Sequence, residues 1–465
     1  IDTYGREALA VYVGNPGAHA LSSMLYTRLL LTGLGTRNRY SASTVDQMPR
    51  HVAAGHVFGS PVSVPVPDLD RTDYLLILGA NPYASNGSLC TAPDFPGRIE
   101  RIRARGGKVV VVDPRRTRTA EEADEWVAVR PGSDALLLAA MCNTMFDEDL
   151  VAVGEHVMDH LNGLDEFSEA VSPFSPESVA GATGVDADTI RRLARELAAA
   201  PTSTVYGRIG TTTTEFGSTA TWLIDALNIL TGNLDRAGGA MFAMPVAGGA
   251  TTRGKRGFGR GFAVGRGHTR VSGHPEVMGE YPVGALAEEI MTPGDGQLRG
   301  MITVGGNPLR SNPNSELLDT AFGELEFMVS IDPYINETTR HADVILPPPS
   351  ALQKSHYDLA LLNFAVHNVA NFSPEVLPLD EGQPSEWEIL LRLSALVGGG
   401  GLDADIAEID DQIAAAFVGS AVRDEHGCVH GRDATELLEM VGQRTGPERL
   451  LDIMLRTGPH LSLIH

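Results

Sequence analysis

Tyr74-Leu75-Leu76-Ile77-Leu78-Gly79-Ala80-Asn81-Pro82 decides the fold. Its apolar run has no polar interruption, as in a strand buried on both faces of a parallel sheet, and it stops at turn residues. The same phrase returns at Gly300-Met301-Ile302-Thr303-Val304-Gly305-Gly306-Asn307-Pro308. A looser copy, Leu9-Ala10-Val11-Tyr12-Val13-Gly14-Asn15-Pro16, is followed from Ser22 to Leu34 by apolar residues at helical spacing.

Working outward, Lys108 to Asp113 and Phe327 to Asp332 are apolar strands that end in aspartate and run directly into proline. The spacing predicts helices over Arg98 to Arg105, Ser133 to Met145 and Ala187 to Ala200, with Asp186 or Asp188 capping the last. Strands alternating with helices in this way predict an α/β protein of doubly wound, Rossmann-like, mostly parallel sheets. At 465 residues the chain is long enough for more than one domain. The repeated phrase selects two.

A strand ending in Gly-x-Asn-Pro places free backbone N–H groups and a helix N-terminus at the carboxyl edge of a sheet, which attracts phosphate. A neighbouring strand ending in aspartate offers an acceptor for ribose hydroxyls or for a guanine N1–H and amino group. Either motif alone is an ordinary turn. Their pairing occurs twice, Gly79 to Pro82 with Asp113 and Gly305 to Pro308 with Asp332, and predicts two similar nucleotide sites.

Composition narrows the classes. Hydrophobic residues at 43% and charged residues at 20% describe a folded enzyme-like chain. Acidic residues outnumber basic ones 59 to 36, which argues against a nucleic-acid partner. Cys90, Cys142 and Cys428 form no CxxC pair, so neither a disulfide scaffold nor a cysteine cluster is expected, and a reducing, cytoplasmic setting fits. There is no apolar run long enough to span a membrane and no export signal at the start. The glycine-rich, basic stretch Ala247 to Arg270 reads either as a surface loop or as a loop that approaches an anion. On the second reading Arg253, Arg256 and Arg260 steer an anionic substrate.

Asp113-Pro114-Arg115-Arg116-Thr117, Ala120, Ala123-Asp124 and Arg130-Pro131-Gly132-Ser133-Asp134 together resemble a signature of the dimethyl sulfoxide reductase superfamily of molybdopterin oxidoreductases, which includes formate dehydrogenases and nitrate reductases. Glu337-Thr338, His341-Ala342-Asp343 and Leu346-Pro347 resemble another. Gly207-Arg208-Ile209-Gly210, Leu230-Thr231-Gly232-Asn233 and Gly238-Gly239 match two further stations in the family's order. The resemblance covers most of residues 1 to 350.

The resemblance implies molybdenum or tungsten held by two molybdopterin guanine dinucleotides, catalysing two-electron chemistry on a small substrate in the manner of a formate dehydrogenase. Carried over by position, Gly79, Asn81, Asp113, Arg115, Pro131, Gly132 and Asp134 would hold one nucleotide tail, and Gly305, Asn307, Pro308 and Asp332 the other. Gly207, Arg208 and Gly210 match a loop near metal and pterin, where a cation faces pyrophosphate or dithiolene charge. The family's interleaved domains would place residues 1–44 with 206–465 in one unit and 45–205 in the other, with 350–465 matching more loosely. A 4Fe–4S cluster is expected only in a preceding domain, as part of an electron-transfer domain or partner subunit; the cysteines it needs are not in this chain.

Formate dehydrogenase relatives carry a cysteine or selenocysteine ligand near position 46, where this chain reads Ser43-Thr44-Val45-Asp46-Gln47-Met48-Pro49-Arg50-His51. Asp46 is the candidate oxygen ligand to the metal and His51 the candidate acid or base. The plainer readings stay open: Asp46 as a helix cap, His51 as structural, Met48 as packing and Cys90 as a bystander thiol. Two rival functions follow. One is a noncatalytic scaffold with the same domains, as in respiratory complex I. The other, a nicotinamide dehydrogenase, needs a Gly-x-Gly-x-x-Gly that neither Gly14 to Gly17 nor Gly79 to Pro82 supplies.

Overall fold

The computed structural model describes residues 1–247 and 262–460. Its strands are β1 (Leu9–Val13), β2 (Arg39–Ser41), β3 (Val66–Pro67), β4 (Tyr74–Leu78), β5 (Lys108–Val112), β6 (Glu125–Val127), β7 (Ser203–Gly207), β8 (Ala240–Met241), β9 (Gly300–Val304), β10 (Phe327–Ile331) and β11 (Val344–Ile345). They form two parallel sheets, β11-β10-β9-β1-β2 and β6-β5-β4-β7, and one small antiparallel pair, β3 with β8. The chain starts the first sheet, builds the second, and returns at β9 to complete the first.

Both faces of each sheet are covered, which is why the strands read as unbroken apolar runs. In the second sheet Leu76, Leu78, Val110 and Val112 pack on helices Asp134–Asp147, Ala187–Ala199 and Gly217–Leu230. Leu75, Ile77, Val109 and Val111 turn the other way, onto helix Phe95–Ala104. In the first sheet Val11, Ile302 and Val304 pack on helices Leu21–Leu34 and Glu386–Val397. Ala10, Tyr12 and Met301 face helices Leu286–Met291 and Ser315–Gly323. The protein is thus α/β, with doubly wound sheets.

One boundary shifts. The chain does not leave the second sheet at residue 206: β7 runs to Gly207 in register with β4, and helix Gly217–Leu230 fills that sheet's core. The physical reason is pairing, since Ile77 lies opposite Tyr206 and Leu78 opposite Gly207 in one ladder. Residues 386–457 form four helices, Glu386–Val397, Ile406–Arg423, Ala434–Val441 and Gly446–Thr457, that share the first sheet's core. Of the two cap candidates, Asp186 accepts from the Thr189 N–H at 2.8 Å and so starts the helix Ala187–Ala199. Among the described residues no helix is long and apolar enough to cross a membrane.

Candidate functional site

Strand order reverses between β4 and β7 in the second sheet and between β9 and β1 in the first. Crevices at such reversals, beyond the carboxyl ends of the strands, are where open α/β sheets take ligands. At both places glycines let two strand-exit loops touch. Gly79 has φ +54°, and a Cβ there would lie 2.7 Å from the Thr211 nitrogen and 2.8 Å from the Gly210 Cα. A Cβ on Gly210 would come within 2.7 Å of the Gly79 Cα. In the first sheet Gly306, at φ +94°, stands in the same relation to Gly14, its Cβ position being 2.8 Å from the Gly14 Cα. These glycines are required by backbone meeting backbone, a reason the motif alone did not reveal.

The next residues build the same frame twice. Asn81 accepts the Thr119 hydroxyl at 2.7 Å, and that hydroxyl oxygen accepts the Tyr83 N–H at 3.1 Å. Asn307 accepts the Thr338 hydroxyl at 2.6 Å, and the Thr338 oxygen accepts the Leu309 N–H at 3.3 Å. Asp113 accepts the Arg115 N–H and Asp332 the Tyr334 N–H, both at 2.8 Å. Asp124 and Asp343 each accept an N–H of the preceding strand, from Val109 and Met328, again at 2.8 Å. Thr119, Thr338, Asp124 and Asp343 escaped assignment as frame residues. The signal was present: Asp113 to Asp124 and Asp332 to Asp343 align without a gap, sharing Asp-Pro, a threonine and a final Ala-Asp.

At the second sheet's edge Asp113 is half-buried and Asp134, at the start of helix Asp134–Asp147, is buried. Burial, with the Asp113 charge adding to it, pushes the Asp134 carboxyl up to about 6. Burial also raises Asp113, against the opposing pull of Arg115. Two carboxyls at one edge suit the N1–H and amino donors of guanine. Pro131 and Gly132, the latter at φ +80°, form the exposed turn into that helix. At the first sheet's edge Gly305, Asn307, Pro308 and Asp332 come together, with Asp332 buried.

Arg208 follows β7 at the reversal point and is 5% exposed. One of its nitrogens donates to Ser88 Oγ at 2.9 Å; Nε and Nη1 have no partner among the described residues. Burial depresses the guanidinium, which feels Asp46 favourably and Arg50 unfavourably. A buried cation with free donors is costly unless an anion completes it, so the site fits pyrophosphate or another anionic group. Asp46 faces it, half-buried, raised by burial, with one oxygen accepting the Gln47 N–H. Burial lowers the basicity of His51, with Arg50 and Arg208 adding to it against the opposing hydrogen bond to Pro61. Its Nδ1 donates to the Pro61 carbonyl at 2.7 Å, which leaves Nε2 as the acceptor.

Asp46 does not cap the following helix Met48–Phe58, whose N-cap residue is Gln47. Arg50, not singled out from sequence, pairs with Asp225 at 2.6 Å in the interior and fastens that helix to Gly217–Leu230. Cys90 is buried and its thiol is pushed up to about 12, an inert bystander. Asn233 of the Thr231-Gly232-Asn233 station is structural, donating to Ser203 Oγ at 2.9 Å. Among the described residues no three His, Cys, Asp or Glu gather as a metal cage. Arg253, Arg256 and Arg260 lie outside the described residues.

A family model described as molybdopterin oxidoreductase matches residues 1–364, and the chain belongs to that family. It is 27% identical to the F420-dependent formate dehydrogenase subunit alpha of Methanocaldococcus jannaschii, over 61% of this chain and 42% of that protein. It is 24% identical to the assimilatory nitrate reductase catalytic subunit of Bacillus subtilis, over 85% of this chain and 56% of that one. Acetylene hydratase from Pelobacter acetylenicus shares the fold, with a TM-score of 0.67 and 19% identity over 88% of this chain and 58% of that one. The chain therefore spans about half the length of the curated relatives it matches.

Proposed function

We propose that this chain is the nucleotide-gripping part of a molybdenum or tungsten oxidoreductase that acts on a small substrate, formate in the first instance. The observation that supports this reading is the doubled edge: the Asn81–Thr119 and Asn307–Thr338 bonds, each beside an edge aspartate, repeat one frame that we read as the seat of a nucleotide tail. Two tails per chain is the demand of a bis-molybdopterin guanine dinucleotide cofactor. When bound, that group supplies a metal that exchanges two electrons.

The chain's own residues would share the remaining work. Asp113 and Asp134 accept from guanine at one edge and Asp332 at the other. Arg208, held to Ser88 through one nitrogen, would donate its free N–H groups to an anionic oxygen. Asp46 offers a carboxylate oxygen to the metal, and His51 Nε2 takes a proton released from the substrate. Burial of Arg208 and His51 keeps water from competing for them. Formate as first substrate is supported by the named activity of the M. jannaschii relative. A 4Fe–4S domain, an electron-transfer partner and a cytoplasmic location complete the proposal, as does a division into two units, 1–44 with the later residues and a central unit extending through β7 and helix Gly217–Leu230.

The test is anaerobic purification of the full-length gene product, elemental analysis for molybdenum and tungsten, and formate-dependent reduction of a viologen dye. Metal-loaded protein that reduces the dye supports the reading. Folded protein without metal contradicts it and favours the noncatalytic scaffold.

A further inference from the structure

The frame that repeats at the two edges makes residues comparable one by one. Because Asp113 to Asp124 and Asp332 to Asp343 align without a gap and share their hydrogen bonds, Tyr334 stands where Arg115 stands. Its backbone is fixed on both sides: the N–H donates to Asp332 and the carbonyl accepts the Thr339 hydroxyl, each at 2.8 Å. The residue is 73% exposed, beside Ile335 at 82%. A rigid turn that holds an aromatic ring in water loses hydrophobic free energy unless something flat and apolar covers it. Arg115, its twin, is likewise exposed and likewise planar. Aromatic rings and guanidinium planes are the two side-chain surfaces on which nucleobases stack.

We infer that Tyr334 is the base-stacking platform of the first sheet's nucleotide site, lying against the face of a guanine whose edge donates to Asp332. Asp332 lies two residues away and is buried, and its carboxylate accepts the Tyr334 N–H at 2.8 Å, so the edge acceptor and the exposed aromatic residue belong to one turn. Arg115 has the matching place beside Asp113. The inference rests on the nucleotide reading proposed above and adds the residue that grips the base.

The test uses the full-length chain from a host unable to make guanine dinucleotide cofactors, titrated with guanosine diphosphate by calorimetry. Wild type binds two equivalents. Tyr334→Ala weakens one of the two sites roughly tenfold, the loss expected of one stacked base, and leaves the other as an internal control of folding. Tyr334→Phe keeps both. Two sites of unchanged affinity in Tyr334→Ala would overturn the role of Tyr334 alone. A wild-type chain that binds fewer than two equivalents would overturn the two-nucleotide reading together with it.

Discussion

The Thr119 hydroxyl donates to the Asn81 side-chain oxygen at 2.7 Å across 38 residues of chain, clasping the loop after β4 to the short helix Arg118–Glu122 after β5. Thr119 is fully buried and its oxygen also receives the Tyr83 N–H. Thr119→Val keeps the shape but leaves both partners without it. The expected loss is about 1–3 kcal/mol of unfolding free energy, read from urea denaturation. A change within experimental scatter would mean that the clasp does not hold the edge together.

Gly79 and Gly210 meet backbone to backbone. Gly79→Ala adds a methyl group 2.7 Å from the Thr211 nitrogen, at φ +54° where alanine is also strained. The loops must part, at a cost of about 1–3 kcal/mol. Gly210→Ala meets the same surface from the other side, so the double variant loses less than the sum of the two singles. Strict additivity in thermal unfolding would contradict direct contact.

Arg50 and Asp225 are an interior ion pair, 2.6 Å apart and nearly inaccessible. Asp225→Ala strands the guanidinium and is expected to cost about 3–5 kcal/mol, whereas Arg50→Met with Asp225→Leu restores much of it. Denaturant midpoints of the single and double variants measure this. A harmless Asp225→Ala would mean that helices Met48–Phe58 and Gly217–Leu230 are joined by other contacts.

Asp134 predicts a pH effect of unusual sign. Its folded carboxyl titrates near 6, above the roughly 4 of an unfolded aspartate, so between these values the folded chain holds a proton that the unfolded chain has released. The group's contribution therefore falls as pH rises from about 4 to about 6, and is level above. Asp134→Asn removes this penalty: cofactor-free protein gains about 1–3 kcal/mol at pH 7 and nothing at pH 4. Asn at 134 also weakens guanosine nucleotide binding, since it loses an anionic acceptor. Denaturation curves at the two pH values check the first part and calorimetry the second.

Much of this was legible in the sequence because buried parallel strands are written as uninterrupted apolar runs. β4, β5, β9 and β10 were located from Tyr74, Lys108, Gly300 and Phe327 onward, and the Asp-Pro ends fixed their exits. What a strand pairs with is not written locally. The family's interleaving puts Tyr206 and Gly207 with the first unit, whereas they pair with Ile77 and Leu78 in the second sheet, and nothing in their own sequence names those neighbours. The Arg50–Asp225 pair joins residues 175 apart and has no local pattern, whereas the Asn307–Thr338 clasp leaves its trace only in the likeness of Asp332 to Asp343 with Asp113 to Asp124. Arg208 was found by position in a motif, but its free donors came from burial, which only the packed chain provides.

The central claim is that each sheet edge holds one nucleotide, and the most direct measurement is guanosine monophosphate released by acid hydrolysis per full-length chain purified under anaerobic conditions. Two per chain are expected, falling to fewer when either Asp113 or Asp332 is replaced by asparagine. A folded chain that releases none, or one that keeps two with both aspartates replaced, would contradict it.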